Sequence, residues 1–246
     1  MMDTNDYISV VLPCYNEGEM IYDNIKKTVE IMQTITERFE IVCVNDGSED
    51  NTEAELLKAE KKYNNVKCIS YSKNAGKGHA LQVGTAVAKG DYIAFVDSDL
   101  ELSPIFLKRY LEIMKEQEAD AVIGSKLHPE SKIDYPKIRK VLSLGYYVLL
   151  KILFRLKVKD TQTGLKVFKA DIIKEVMPKI IVKGYAFDIE VLAIINRKGY
   201  KIVDAPIELV FSRGNVRGRI RMKDIWKMFM DTCSIFYRVE VKKVYD

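Results

Sequence analysis

Tyr92-Ile93-Ala94-Phe95-Val96-Asp97-Ser98-Asp99 runs from an uninterrupted apolar stretch into two carboxylates one residue apart. Five apolar residues without polar alternation suit a strand buried on both faces, as in a parallel sheet. The strand ends where the acids begin. Successive strand side chains point to opposite faces, so the chain must turn at 97–99 before both carboxylates reach one cation. An Asp- and Ser-rich turn that holds nothing carries the same letters, and the surrounding sequence has to decide between the two.

Working outward, short apolar runs recur at 8–12, 40–44, Val66–Tyr71 and 120–124. Helical spacing fills the gaps: Ile21, Ile25, Val29, Met32 and Ile35, then 52–63 with Asn51 or Thr52 as N-cap, then 78–88, then a helix opened by Pro104 and running to about 117. Strands alternating with helices predict an α/β fold, a mostly parallel sheet covered on both faces. The C-terminal ends of parallel strands share one edge, where open α/β sheets bind ligands. Pro13-Cys14-Tyr15-Asn16-Glu17, Asn45-Asp46-Gly47-Ser48 and Asp97-Ser98-Asp99 all fall there. Asn74-Ala75-Gly76-Lys77-Gly78 also follows a strand and opens a helix, so its backbone N–H groups and helix dipole favour an anion. It matches neither GxGxxG, since Leu81 takes the third glycine position, nor a P-loop, since no Ser or Thr follows Lys77.

The second half is less regular. Residues 126–159 hold nine Lys/Arg against Glu130 and Asp134, and enclose the apolar-aromatic run 144–150. A helix is expected over 186–197, a strand pair about Pro206, a basic segment at 212–223, and a last amphipathic helix carrying Trp226, Phe229 and Tyr237. With 246 residues, 48% hydrophobic and 30% charged, the chain suits one large domain, or a domain with a substantial appendage. A net charge of +4 is too mild to imply nucleic acid. Cys14, Cys43, Cys68 and Cys233 show no CxxC spacing, and with only His79 and His128 to join them they read as reduced, mostly buried thiols. The N-terminus lacks a signal peptide's basic start and apolar core. The most apolar stretch, 141–156, is interrupted by Lys151 and Arg155, so a transmembrane helix is not expected. A cytoplasmic protein follows, with contact to a membrane surface left open.

The ordered motifs Pro13-x-Tyr15-Asn16-Glu17, Val44-Asn45-Asp46-Gly47-Ser48-x-Asp50-x-Thr52, Asn74-x-Gly76-x-Gly78 and Asp97-x-Asp99 resemble the signature of family 2 glycosyltransferases of the GT-A fold. Gly124-Ser125-Lys126, the run from Asp160 to Phe168, and Tyr185-Ala186-Phe187-Asp188-Ile189-Glu190 are similar to the polyprenyl-phosphate branch, typified by dolichyl-phosphate mannose synthase and dolichyl-phosphate glucosyltransferase. The resemblance spans about 7–215. It implies a GT-A domain over 1–215, with a nucleotide-sugar half at 1–125 and an acceptor half at 126–215, and a C-terminal basic, amphipathic segment at 216–246.

The resemblance also implies roles. Pro13, Tyr15, Glu17, Asp46, Gly76, Lys77, Asp97, Ser98 and Asp99 would hold a nucleotide-sugar, with Glu17 and Asp46 at base and ribose. Asp97, Asp99 and Glu101 would hold Mg²⁺ or Mn²⁺; a solvated helix-entry acid remains the alternative for Glu101. Asp99, Asp188 and Arg213 are the candidate catalytic residues, and Lys126, Lys137, Arg139 and Arg213 the candidates for acceptor phosphate, with Arg217, Arg219 and Arg221 behind them. Solvated basic faces are the alternative for these. The expected reaction is inverting transfer from a UDP- or GDP-sugar to polyprenyl phosphate at the cytoplasmic face of a membrane. The alternatives are a glycan hydroxyl acceptor, with Asp188 as base, and a non-catalytic module that binds nucleotide-sugar. The last helix is left to dock on the membrane, a second copy or anchored partner, or its own sheet. Three departures stand out: Asn45 in place of an Asp, Lys126 where Arg is common, and no long C-terminal transmembrane region.

Overall fold

The computed structural model describes residues 6–133, 137–184, 186–209 and 222–245, with side chains left undescribed at 137–143, 209 and 222–225. Its strands are β1 (Ile8–Cys14), β2 (Phe39–Asp46), β3 (Val66–Tyr71), β4 (Tyr92–Phe95), β5 (Ala121–Ser125), β6 (Lys132–Ile133), β7 (Lys166–Lys169), β8 (Ile202–Pro206) and β9 (Glu208–Leu209). Its helices are α1 (Ile21–Ile35), α2 (Thr52–Lys62), α3 (Lys77–Val87), α4 (Phe106–Glu116), α5 (Lys137–Phe154), α6 (Ala170–Val176), α7 (Phe187–Arg197) and α8 (Met222–Phe236), the last running on into a π-helical turn, Tyr237–Val241.

Seven strands form one sheet in the order β3-β2-β1-β4-β7-β5-β8, and β6 and β9 make a separate parallel pair. All neighbours in the large sheet are parallel except β7, which runs antiparallel to both β4 and β5. The chain winds from β1 through α1 and α2 to β3, then returns through α3 to β4 on the other side of β1. That reversal between β1 and β4 is a topological switch point, the place where open α/β sheets leave a crevice. Because β1 and β2 are buried on both faces, their side chains feed two cores. Val10 and Leu12 pack with Ile25 and Met32 of α1, Leu56 of α2 and Tyr110 of α4. Val11 and Val44 pack with Leu81 of α3, Ile173 of α6, Leu192 of α7 and Ile235 of α8.

The mostly parallel sheet and its covering helices follow the expected pattern, and the expected helix boundaries hold to within two residues. One local expectation fails. The segments about Pro206 do not pair with each other, because β8 extends the main sheet beside β5 while β9 joins β6. Asn51 is the N-cap residue of α2, as expected, but its side chain makes no cap bond; Asp50 Oδ1 accepts the Thr52 N–H at 3.0 Å instead. Among the described residues no helix is long and apolar enough to cross a membrane.

Candidate active site

β1 and β4 deliver the first loops to the switch point. At the end of β1 Pro13 is half-buried, and just after it Tyr15 lies 44% exposed. The turn at Asn16 is pinned to the loop after β2: Asn16 N–H donates to Ser48 Oγ (3.0 Å), and Asn16 Oδ1 accepts Glu49 N–H (2.9 Å). Glu17 N–H donates to Thr52 Oγ1 (2.9 Å), and a cavity of about 130 Å³ lined by Asn16, Glu17, Met20 and Asp50 opens between these two loops. After β4, Asp97 is half-buried and Asp99 exposed, while Ser98 is buried and its carbonyl accepts Asn24 Nδ2 at 2.8 Å. Glu101 is exposed, and its N–H donates to Asp99 Oδ1 at 3.0 Å. Among the described residues no three His, Cys, Asp or Glu side chains cluster as a ready metal site, so Glu101 does not join Asp97 and Asp99 as a third carboxylate in this arrangement.

The loop after β3 is shaped by Asp46. Its buried carboxylate accepts Tyr71 OH (2.7 Å), Asn74 Nδ2 (3.1 Å), Ala75 N–H (2.8 Å) and Gly76 N–H (2.9 Å). Asn45, which stands where relatives of the resembled family carry Asp, is 2% exposed and caps its own turn, Oδ1 accepting Ser48 N–H at 3.1 Å. The Asp46 bonds bend the chain at Gly76, where φ is +96° and a side chain would meet Lys183 O at 2.7 Å, so glycine is required twice over. Lys77 is thereby aimed across the crevice, Nζ 2.5 Å from Asp97 Oδ1.

The third contribution comes from β7 and α7. Because β7 is antiparallel, its first residue lies at the C-terminal edge, with Lys166 opposite Phe95. Lys166 is 2% exposed, and its ammonium donates to Thr163 O and sits 2.8 Å from Asp188 Oδ1 at the start of α7. Just before β7, Gly164 presses on the β4 turn: a Cβ there would lie 1.9 Å from Asp97 Oδ2. Lys126, after β5, reaches Asp160 (Nζ to Oδ2, 3.9 Å). Lys77, Lys126, Lys166, Asp97, Asp99 and Asp188 therefore share one charged edge. Burial works against ionised Asp97, yet the Lys77, Lys166 and Lys126 charges hold its carboxyl below the ordinary range. Asp99 goes the other way, raised by partial desolvation in the crevice and by its neighbour Asp97. Partial burial opposes charge on Lys77, but Asp97 and Asp188 keep it protonated well above its ordinary value.

Sequence reasoning missed Lys166 and Gly164 as site residues. The signal was a lone lysine inside the apolar run Leu165-Lys166-Val167-Phe168, since a lysine is almost never fully buried unless paired. Of the expected acceptor residues, Lys137 and Arg139 fall in the first turn of α5, whose side chains are not described; Arg213, Arg217, Arg219 and Arg221 lie outside the described residues.

Comparison with known proteins places the chain in a family. The profile of glycosyl transferase family 2 matches residues 9–177. A dolichyl-phosphate beta-glucosyltransferase of Trichomonas vaginalis is 30% identical over 98% of this chain and 76% of its own length. The dolichyl-phosphate beta-glucosyltransferase of Saccharomyces cerevisiae is 31% identical over 83% of this chain and 67% of its own. Among solved structures, mannosyl-3-phosphoglycerate synthase from Rubrobacter xylanophilus superposes with a TM-score of 0.71 over 97% of this chain and 75% of that one, at 16% identity. Glucosyl-3-phosphoglycerate synthase from Mycobacterium tuberculosis, in complex with Mn²⁺, UDP and phosphoglyceric acid, gives 0.70 over 95% and 78%, at 20% identity. The matched segment runs from β1 to the end of α6 and takes in the loops after β1, β2, β3, β4 and β5: the chain belongs to glycosyl transferase family 2.

Proposed function

We propose that this glycosyltransferase moves a sugar, with inversion, from a nucleoside-diphosphate sugar to a polyprenyl phosphate. The observation that carries the acceptor choice is the buried Lys166–Asp188 pair at 2.8 Å. A hydroxyl acceptor needs a general base within reach. A carboxylate committed to a buried ammonium is a poor one, because taking a proton would strand the lysine charge. A phosphate acceptor arrives already ionised, its second pKa being about 6, and Asp188 then serves to orient rather than to deprotonate. The names of the curated relatives support the same acceptor.

On the donor side, Asp97 and Asp99 offer hard oxygen ligands beside a glycine that leaves the first carboxylate its space, and this donor set fits Mg²⁺ or Mn²⁺. When bound there, the ion would stabilise charge on the departing nucleoside diphosphate. Lys77, now on Asp97, is placed to transfer its charge to the same diphosphate. The loops bearing Pro13, Tyr15, Glu17 and Asp46 form the nucleoside end. We assign Lys126, Lys137, Arg139 and Arg213 to the acceptor phosphate on sequence grounds.

We assign the lipid end to α5 and α8. Leu144, Val148 and Ile152 are 52%, 46% and 73% exposed at four-residue spacing on α5, and Trp226 and Met230 are 66% and 48% exposed on α8. Exposed Lys151, Lys227, Lys242 and Lys243 flank them. Apolar faces with basic borders suit the interface of an anionic membrane.

The test is incubation of labelled UDP- and GDP-sugars with polyprenyl phosphate and Mn²⁺ or Mg²⁺. A lipid-linked sugar is expected; none across the panel refutes the reading. Asp188→Asn leaves buried Lys166 without its anion and lowers stability, but assayed while folded it is expected to keep substantial transfer. Loss of transfer with donor binding intact would favour a hydroxyl acceptor and Asp188 as its base.

A further inference from the structure

Glu190 has no part in that chemistry, yet it is a buried acid with both carboxylate oxygens fully engaged. It is 0% exposed on α7. Oε2 accepts the N–H groups of Ile181 (2.9 Å) and Val182 (2.7 Å). Oε1 accepts Arg238 Nη2 (2.6 Å) and Nε (3.2 Å) and the Tyr245 hydroxyl (2.6 Å). One carboxylate thus joins segment 181–182 to the π-helical turn after α8 and to the end of the described chain. A buried acid with donors on both oxygens is strongly ordered, and removing any partner leaves the others without compensation.

Segment 181–182 is followed at once by Lys183, which touches the donor loop. Lys183 O accepts Gly78 N–H at 3.2 Å and lies where a Cβ on Gly76 would be, 2.7 Å away. A Cβ on Gly78 would meet Phe187 Cβ at 2.9 Å. On the other side, Gln82 of α3 donates to Ile180 O at 2.9 Å. The backbone that carries Lys77 is therefore seated against Lys183 and Phe187, and Lys77 reaches Asp97 from that seat.

We propose that Glu190 is a positioning residue for the donor. By clamping 181–182 to the C-terminal segment it sets how closely the Gly76–Gly78 loop approaches the diphosphate. The inference rests on the donor reading above, and two separate readouts keep their failures apart. Hydrogen exchange needs no ligand. In Glu190→Gln, one of the two oxygens becomes a donor, and amides of 76–78 as well as 181–182 are expected to exchange faster. UDP and GDP, each with Mn²⁺, then report the consequence by calorimetry: the nucleotide that wild type binds is expected to bind roughly tenfold more weakly, within the usual range of coupling between sites.

Should Glu190→Gln fail to fold, Tyr245→Phe removes one donor, leaves the Arg238 pair, and is expected to shift both readouts in the same direction. Glu240→Gln is the control. It breaks a 3.1 Å pair with Arg197 that ties the same C-terminal turn to α7 without touching 181–182, so it is expected to leave exchange at 76–78 and nucleotide affinity unchanged. The proposal is overturned if exchange rises at 181–182 but not at 76–78, or if folded Glu190→Gln or Tyr245→Phe binds nucleotide as wild type does. Wild type that binds neither nucleotide overturns the donor reading instead, and exchange at 76–78 still decides the clamp.

Discussion

Replacing Gly164 by alanine separates the chemistry of this site from its stability. An alanine Cβ would lie 1.9 Å from Asp97 Oδ2, 2.4 Å from Cγ and 3.1 Å from Oδ1. The carboxylate must retreat by roughly 1.5 Å to restore ordinary contact. The backbone at 164 lies outside the left-handed region, so alanine fits the chain there, and Gly→Ala at a compatible position stabilises by about 0.4–1 kcal/mol through the unfolded state. Against this, the displaced Lys77–Asp97 pair is 41% and 39% exposed, and a pair so solvated is worth about 0–1 kcal/mol. The two nearly cancel, and melting is expected to move by no more than about 4 °C. Catalysis has no such offset. A misplacement near 1 Å costs on the order of 10²-fold, and loss of a preorganised charge partner about 10²–10³-fold. Initial rates of sugar transfer against Mn²⁺ concentration, beside thermal melts, make the comparison. A Gly164→Ala enzyme with the wild-type rate and Mn²⁺ midpoint refutes the assignment of Asp97 to the metal-bound donor; one that fails to fold refutes the claim that the glycine serves Asp97 rather than the chain.

Other expectations follow from single groups. Lys166→Met leaves buried Asp188 without its cation and is expected to lose about 3–5 kcal/mol. Adding Asp188→Asn should recover at least about 1 kcal/mol of that in urea melts, and strict additivity would mean the two do not interact. Burial, with help from Asp160, pushes the Asp204 carboxyl up to about 6 from 3.8, against the Lys159 N–H that it accepts. Because the folded value lies above the unfolded one, ionised Asp204 weakens the fold above about pH 6, and the penalty fades as pH falls toward 4. Asp204→Asn should therefore stabilise by about 1–3 kcal/mol at pH 7.5 and by nothing near pH 4; destabilisation at pH 7.5 contradicts the cause. The Thr163 hydroxyl is buried without a partner among the described residues, so Thr163→Val is expected to be neutral or stabilising by about 1 kcal/mol. A destabilised Thr163→Val shows that the hydroxyl is bonded after all.

The clamp at Asp46 illustrates where reading from sequence reached its limit. Asp46 was recognisable as a polar residue at a strand end beside other such ends, because the side-chain period of two and the helical period mark strands and helices from local composition alone. Its use was not recognisable. The carboxylate is turned onto Ala75 and Gly76, 29 and 30 residues away, and no local pattern encodes that distance. Local pattern puts Lys77 and the Asp97–Asp99 pair at strand ends and marks Lys126 only as a basic residue; the structure brings all four to one edge. Lys137, Arg139 and Arg213 rested on charge alone, which local pattern cannot distinguish from a solvated face.

The sequence by itself determined an α/β sheet, the edge at which its loops would meet, and the acids of 97–99 as the centre of that edge. All of these depend on periodicity and on the geometry of parallel strands, which are properties of short segments. Only the tertiary structure decided what faces those acids. One short antiparallel strand, β7, enters between β4 and β5 and so carries Gly164 and Lys166 to the end of β4 instead of the far edge. Strand direction is set by long-range pairing, which four residues cannot specify, and that direction gives Asp97 its space and Asp188 its cation.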